Sequence, residues 1–186
     1  MKRAGPYAMV SRNRMQNLHR LLSRVERDGV PGDAVEAGVA RGGSAIVITD
    51  TALRSDLDRQ VWLYDAFELI DRPPASYDQV RQTLFEVFRF DPQRVHVVRG
   101  LFDETVRTFP DRPIAFVHID AAHYEAVKPC LDAFFTKLSA SGWVVFDNYG
   151  TRAGCRRAVD ELLESHGLAG RLERFGHSQA FVQKRA

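Results

Sequence analysis

Three oxygen-bearing side chains stand where apolar segments stop. "PIAFVHID" (113–120) ends in Asp120, and "GWVVFDN" (142–148) ends in Asp147 and Asn148. Two carboxylates and an amide oxygen form a hard donor set suited to Mg²⁺ or another divalent cation, with open positions for water and substrate oxygens. Either acid alone reads as a helix N-cap or loop acid, because carboxylates are common at strand-to-helix turns. Their coincidence with Asn148 at the ends of consecutive strands favours a cation site. Three residues beyond Asp120 stands His123, a side chain that titrates near neutrality and could act as a general base if a helix begins at Tyr124. A histidine hydrogen-bonded to a helix start is an equal reading. His118, inside the strand, reads as structural.

Other segment ends carry further chemistry. In "EAGVARGGSAI" (36–46), Gly38, Gly42 and Gly43 let the backbone turn tightly and approach a ligand. The helix that follows would expose its first amides to an anion or a nucleoside. The spacing is not G-x-G-x-x-G and there is no P-loop lysine, which counts against NAD and ATP. "YDAFE" (64–68) offers Asp65 to the two hydroxyls of a ribose, with Glu68 as second choice. "VVRGLFDE" (97–104) brings Gly100 close, and Leu101 or Phe102 could pack against an adenine or join the core.

These residues need a frame that delivers them to one place. Strand-length apolar runs at 33–39, 60–67, 94–100, 113–120 and 142–148 alternate with amphipathic stretches at 43–56, 77–89, 102–108, 124–138 and 152–166. That alternation predicts an α/β fold with a doubly wound, mostly parallel sheet covered on both faces. Ligands of such sheets lie beyond the carboxyl ends of the strands. In helix 124–138 the spacing puts Ala126, Cys130, Ala133 and Phe134 on the sheet side, with Glu125, Lys128 and Lys137 in water. "GRLERFGHSQAFVQKRA" (170–186) reads as a hairpin around Gly176 that closes one sheet edge antiparallel. A helix from Ser11 to Arg27 precedes the core, its stripe formed by Met15, Leu18, Leu21, Leu22 and Val25. The expected organisation is one domain over 1–186, a helical segment at 1–29 and the α/β core at 30–186.

Composition narrows the partners. The 186 residues are 45% hydrophobic and 27% charged, with a formal net charge of +2, too small to imply nucleic acid. Lys2, Arg3, Arg12, Arg14, Arg20, Arg24 and Arg27 make the first segment locally basic, which reads as a solvated helix face. No apolar run approaches the roughly 20 residues of a membrane span, and no signal-peptide core follows the first residues, so a cytoplasmic protein is expected. Cys130 and Cys155 lack the paired spacing of a zinc or redox site and read as reduced packing residues.

Taken together, "VPGDAVEAGVARGGSAI", "YDAFE", "VVRGLFDETV", "VHIDAAHYEAVKPCLDAFFTKLSASGWVVFDNYG" and "CRRAVDEL" resemble the macrocin O-methyltransferase family of class I S-adenosylmethionine-dependent methyltransferases. The resemblance runs from about residue 29 to 162. It implies a Rossmann-like fold, S-adenosylmethionine as cofactor, Mg²⁺ or another divalent cation, and a small hydroxylated acceptor such as a sugar of a natural product. Carried onto this chain, the cofactor contacts are Glu36, Gly38, Arg41, Gly42, Gly43, Ser44, Asp65, Gly100, Phe102 and Asp120. The metal ligands are Asp120, Asp147 and Asn148, and the catalytic residues are His123 and Asp120. The chain departs from the family at Asn148, where a second aspartate is usual and the Asp-Asn pair resembles catechol O-methyltransferases. It departs again at Ala122, where the family has an acid, and at His123, where it often has an apolar residue. "FEL" replaces the family's "FEG", and the chain lacks much of the N-terminal and lid sequence of longer members. Tyr7, Met9 and "RPPASYDQV" (72–80) are candidate walls of the acceptor pocket, and packing explains them equally well.

Two other readings stay open: a noncatalytic cofactor-binding partner subunit, and a nucleic-acid methyltransferase guided by the basic helix. The second lacks the aromatic-basic interleaving it needs, so nucleic acid is not an expected partner. The chain is compatible with a homodimer, and nothing in it fixes the oligomeric state.

Overall fold

Five apolar segments produce the parallel part of the sheet, and the central strands are buried on both faces, every residue of β1 (Asp33–Ala37) and β4 (Ile114–Ile119) being closed to solvent. The computed structural model describes residues 2–54, 57–69, 71 and 74–185. Strands β1 (Asp33–Ala37), β2 (Val61–Asp65), β3 (Val95–Arg99), β4 (Ile114–Ile119) and β5 (Leu138–Phe146) pair in parallel. β6 (Glu173–Phe175) and β7 (Gln179–Gln183) form the expected hairpin, with β7 antiparallel to β5. The order is β3-β2-β1-β4-β5-β7-β6, so strand order reverses between β1 and β4 and opens a crevice there.

Alternate residues of each strand face opposite layers. Ala34, Phe116 and Val145 join the core beneath α1 (Arg12–Arg27) and α2 (Gly43–Ala52). Val35, Val117 and Val144 join the core beneath α5 (Tyr124–Lys137) and α6 (Ala153–Ser165). In α1, Ser11 caps the first turn by accepting from the Arg14 amide, and Leu18, Leu21 and Leu22 are fully buried. Burial of each such leucine contributes about 1.5–3 kcal/mol, which fastens α1 across the sheet.

The ladder continues past the strand ends. The Asp120 amide donates to Ala37 O at 2.8 Å, Asp147 to Ile119 O at 2.9 Å, and Gly100 to Asp65 O at 3.0 Å. Backbone hydrogen bonds therefore place the candidate residues before any side chain does.

The elements depart from the sequence expectation in detail. α2 ends at Ala52, and Ser55 and Asp56 at the end of the expected helix lie outside the described residues, as do Met1 and Ala186. The expected helix 77–89 is α3 (Tyr77–Gln82) followed by a π turn, Thr83–Val87, closed by Phe88 N to Thr83 O at 3.0 Å. The expected helix 102–108 is α4 (Phe102–Thr105) with a 3-10 turn after it. In α5 the buried face is centred on Val127, Cys130, Leu131 and Phe134, with Ala126 and Ala133 half-buried at its border. Packing against α6 as well as the sheet rotates that face. Cys130 and Cys155 are buried and free, and burial pushes the Cys155 thiol up to about 12. No described helix is long and apolar enough to cross a membrane.

Candidate active site

A cavity of about 450 Å³ opens at the carboxyl ends of β1 to β4, with Gly38, Asp65, Phe102, Asp120 and His123 on its wall. Five residues singled out by type and spacing are thus brought together. Gly38 has φ +100°, and a Cβ there would stand 2.3 Å from the Asp120 carbonyl oxygen. Only glycine lets β1 turn this close to β4. Asp65 accepts the Ala40 amide on Oδ2 at 2.8 Å and the Phe67 amide on Oδ1 at 2.9 Å. Its carboxylate is held at the cavity edge with a lone pair on each oxygen to spare. Glu68 pairs instead with Arg99 at 2.8 Å and accepts the Tyr77 amide. Leu101 is 44% exposed and Phe102 half-buried; both line the cavity, and Phe102 also packs against the core beneath α5 and α6.

The remaining residues of the first turn, Arg41, Gly42, Gly43 and Ser44, are not on the wall of this cavity. Gly42 precedes α2 in a left-handed conformation, and Ser44 is buried in the first turn of α2. Gly43 leaves no room for a side chain: a Cβ would stand 2.4 Å from Ala8 Cα, so the N-terminal segment lies directly on the start of α2. Arg41 is exposed and lines a neighbouring cavity of about 260 Å³ with Tyr7, Pro74 and Gln79. Gly100 is buried at the end of β3. Met9 is 59% exposed, and Arg72 and Pro73 of the acceptor segment lie outside the described residues. His123 is the N-cap residue of α5, yet its ring makes no capping hydrogen bond and faces the cavity. The structural role open to it in sequence is therefore not the one it takes.

Beneath the cavity lies a buried polar cluster. Glu36 is closed to solvent, and its Oε1 sits 2.8 Å from His118 Nδ1. His118 Nε2 faces Asp147 Oδ1 at 3.7 Å, a charge contact longer than a hydrogen bond. Burial disfavours the imidazolium, but Asp147 and Glu36 outweigh it and push His118 up to about 10. Burial alone would raise Asp147 as well; contact with His118 and the charge of Arg14 hold it below the usual carboxylate range. Asn148 Nδ2 donates to Asp120 Oδ1 at 2.6 Å. Burial, and then the charge of Asp147, push Asp120 up to about 6.

Two partners of Asp147 escape the sequence reading. Arg14 Nη1 donates to Asp147 Oδ2, and Gln179 Nε2 donates to Oδ1 at 2.8 Å. Gln179 is itself held by Asn17 Nδ2 at 2.6 Å. The reading of the N-terminal basic residues as a solvated face is corrected at Arg14, which turns inward because Asp147 supplies a buried counter-charge. A trace of this exists in the sequence: Arg14 stands four residues before Leu18, in line with the buried stripe.

Asp120, Asp147 and Asn148 suit a hard divalent cation in donor type, and the upward displacement of Asp120 comes from burial first and from the charge of Asp147 second. Among the described residues, no three histidine, cysteine or acidic side chains gather as a metal-binding group; the set here contains two acids and an amide.

This sheet order, with its crevice at the strand-order reversal and acids at the ends of β2, β4 and β5, is that of a class I, Rossmann-like methyltransferase. The sequence profile of the macrocin O-methyltransferase family (TylF) matches residues 3–83 and 74–184, and the chain belongs to that family. It is 32% identical over 185 residues to 8-demethyl-8-(2,3-dimethoxy-α-L-rhamnosyl)-tetracenomycin-C 4'-O-methyltransferase of Streptomyces olivaceus, covering 88% of this chain and 70% of that protein. It is 30% identical over 190 residues to demethyldecarbamoylnovobiocin O-methyltransferase of Streptomyces niveus, covering 91% of this chain and 72% of that one. The structure of the O-methyltransferase NovP superposes with a TM-score of 0.88 at 26% identity, over 97% of this chain and 83% of that one. The protein is an S-adenosylmethionine-dependent O-methyltransferase, which sets aside the noncatalytic reading.

Proposed function

We propose that the protein methylates a hydroxyl of a small natural-product acceptor, a sugar hydroxyl above all, with the help of a divalent cation. The observation that carries this reading is the meeting of the nucleoside-sized cavity with Asp120, at the edge of the Asp120–Asn148 pair. The names of the relatives from Streptomyces olivaceus and Streptomyces niveus support such an acceptor.

In this reading Asp65 accepts the two ribose hydroxyls, while Leu101 and Phe102 flank the adenine. Gly38 and Asp120 border the methionine end, with Gly42, Gly43, Ser44 and Gly100 shaping the turns around it. Glu36 acts from beneath through His118, and Arg41 stands at the outer rim. Asp120, Asp147 and Asn148 would hold the cation, which when bound lowers the cost of deprotonating an acceptor hydroxyl. His123 takes the proton as the acceptor oxygen attacks the methyl carbon. The new O–C bond forms as the C–S bond breaks, and S-adenosylhomocysteine leaves. Alignment of oxygen, methyl and sulfur supplies much of the rate.

The test is transfer of labelled methyl from S-adenosylmethionine to a panel of rhamnosylated tetracenomycins, demethyldecarbamoylnovobiocin and free sugars, with Mg²⁺ present. Label on an acceptor hydroxyl supports the reading. Cofactor binding without transfer to any hydroxylated acceptor contradicts it.

A further inference from the structure

The guanidinium of Arg14 occupies the side of Asp147 that a cation would need. Nη1 is shared between Asp147 Oδ2 and Ser178 Oγ, the latter at 3.2 Å. Gln179 fills Oδ1 at 2.8 Å. Both oxygens are thus committed to groups brought by α1 and by the β6–β7 hairpin. The freedom of the two partners differs. The Asp147 side chain has no exposed surface and cannot turn without breaking these contacts, whereas the Arg14 side chain is 24% exposed and has an open side to move into. Among the described residues, Nε and Nη2 of Arg14 make no hydrogen bond that would hold the guanidinium from that side.

A guanidinium and a divalent cation on one carboxylate repel each other across a few ångströms, and a buried site screens little of that repulsion. We propose that Arg14 is the displaceable counter-cation of Asp147, beside the fixed imidazole of His118 at 3.7 Å, and that a divalent cation binds there only as the guanidinium leaves. This rests on the cation-assisted reading above and adds a competitor to it. Without metal, the Arg14–Asp147 ion pair ties α1 to the end of β5. With metal, that tie is released, so loading of the site is reported to the N-terminal helix.

Binding of Mn²⁺ to the full chain, read from the electron paramagnetic resonance of free Mn²⁺, tests the proposal on wild type and Arg14→Gln. The variant is expected to bind roughly tenfold more tightly or better. A second measurement needs no altered fold: Mg²⁺ titration of wild type followed by the arginine Nε–Hε resonances, with Arg14 identified by its loss in Arg14→Lys. The Arg14 signal should move to the position of a solvated arginine as the site fills. Equal or weaker Mn²⁺ binding by Arg14→Gln, or an Arg14 signal unmoved at saturating Mg²⁺, overturns the competition and leaves the cation reading standing. Failure of both wild type and variant to bind Mn²⁺ overturns the two together.

Discussion

His118 Nδ1 lies 2.8 Å from Glu36 Oε1, with both side chains fully closed to solvent. The contact joins β4 to β1, the two strands that border the crevice, and the far nitrogen of the same ring faces Asp147. One imidazole thus sits between the strand that carries the glycine turn and the strand that carries the second acid. Replacing it by leucine leaves two buried carboxylates without that counter-charge, and removing one partner of a buried pair costs about 3–5 kcal/mol. Urea unfolding of His118→Leu should show a loss of that size; a loss below about 1 kcal/mol contradicts the assignment. The pH dependence has a defined sign. The folded imidazole is raised to about 10, so its contribution is complete below the unfolded value of about 6.5 and drains away as pH climbs between the two.

Asp120 titrates in a different window. Burial and the charge of Asp147 push its carboxyl up to about 6, so below that pH a proton occupies the oxygen that a cation needs. Mn²⁺ affinity should fall about tenfold per pH unit below this value, with proton release on binding. Calorimetry in two buffers of different ionisation enthalpy reads both. An affinity unchanged from pH 7 to pH 5 means that Asp120 is not a ligand.

Asp65 offers a test of the cofactor pose that is independent of the metal. Its carboxylate is oriented by the amides of Ala40 and Phe67, leaving lone pairs for two ribose hydroxyls. Hydrogen bonds to a charged group contribute about 1.5–3 kcal/mol each, so Asp65→Ala should weaken S-adenosylhomocysteine binding by at least about tenfold. Calorimetry showing wild-type affinity, in a variant with unchanged circular dichroism, would place the ribose elsewhere.

His123 faces the cavity without a capping bond, as a proton acceptor should. His123→Ala is expected to lower kcat by about 10²-fold or more while leaving S-adenosylhomocysteine affinity unchanged. A variant with the wild-type rate and pH profile removes His123 as the base.

The sheet and its crevice were legible because each strand announces itself twice, by an apolar run and by the glycine or acid that ends it. Gly38, Asp65, Asp120 and Asp147 stand at those ends, and parallel pairing alone puts them in a row. Two of the residues that hold Asp147 were not legible, since they come from far along the chain. Arg14 reaches Asp147 across 133 residues and Gln179 across 32, by way of a helix docked on the sheet and a closing hairpin. Among seven basic residues in the first segment, only the position of Arg14 on the leucine stripe distinguishes it. The π turn after α3 had no sequence signal either, because Thr83–Val87 continues the helical pattern before it.

The central claim is that cofactor and cation meet at one acceptor site, and it is tested most directly by methyl transfer with and without chelator, on wild type and Asp147→Ala. The account predicts that chelation abolishes wild-type turnover, that Mg²⁺ restores it, and that Asp147→Ala stays inactive while binding S-adenosylhomocysteine as wild type does. Full wild-type turnover in the presence of chelator would contradict it.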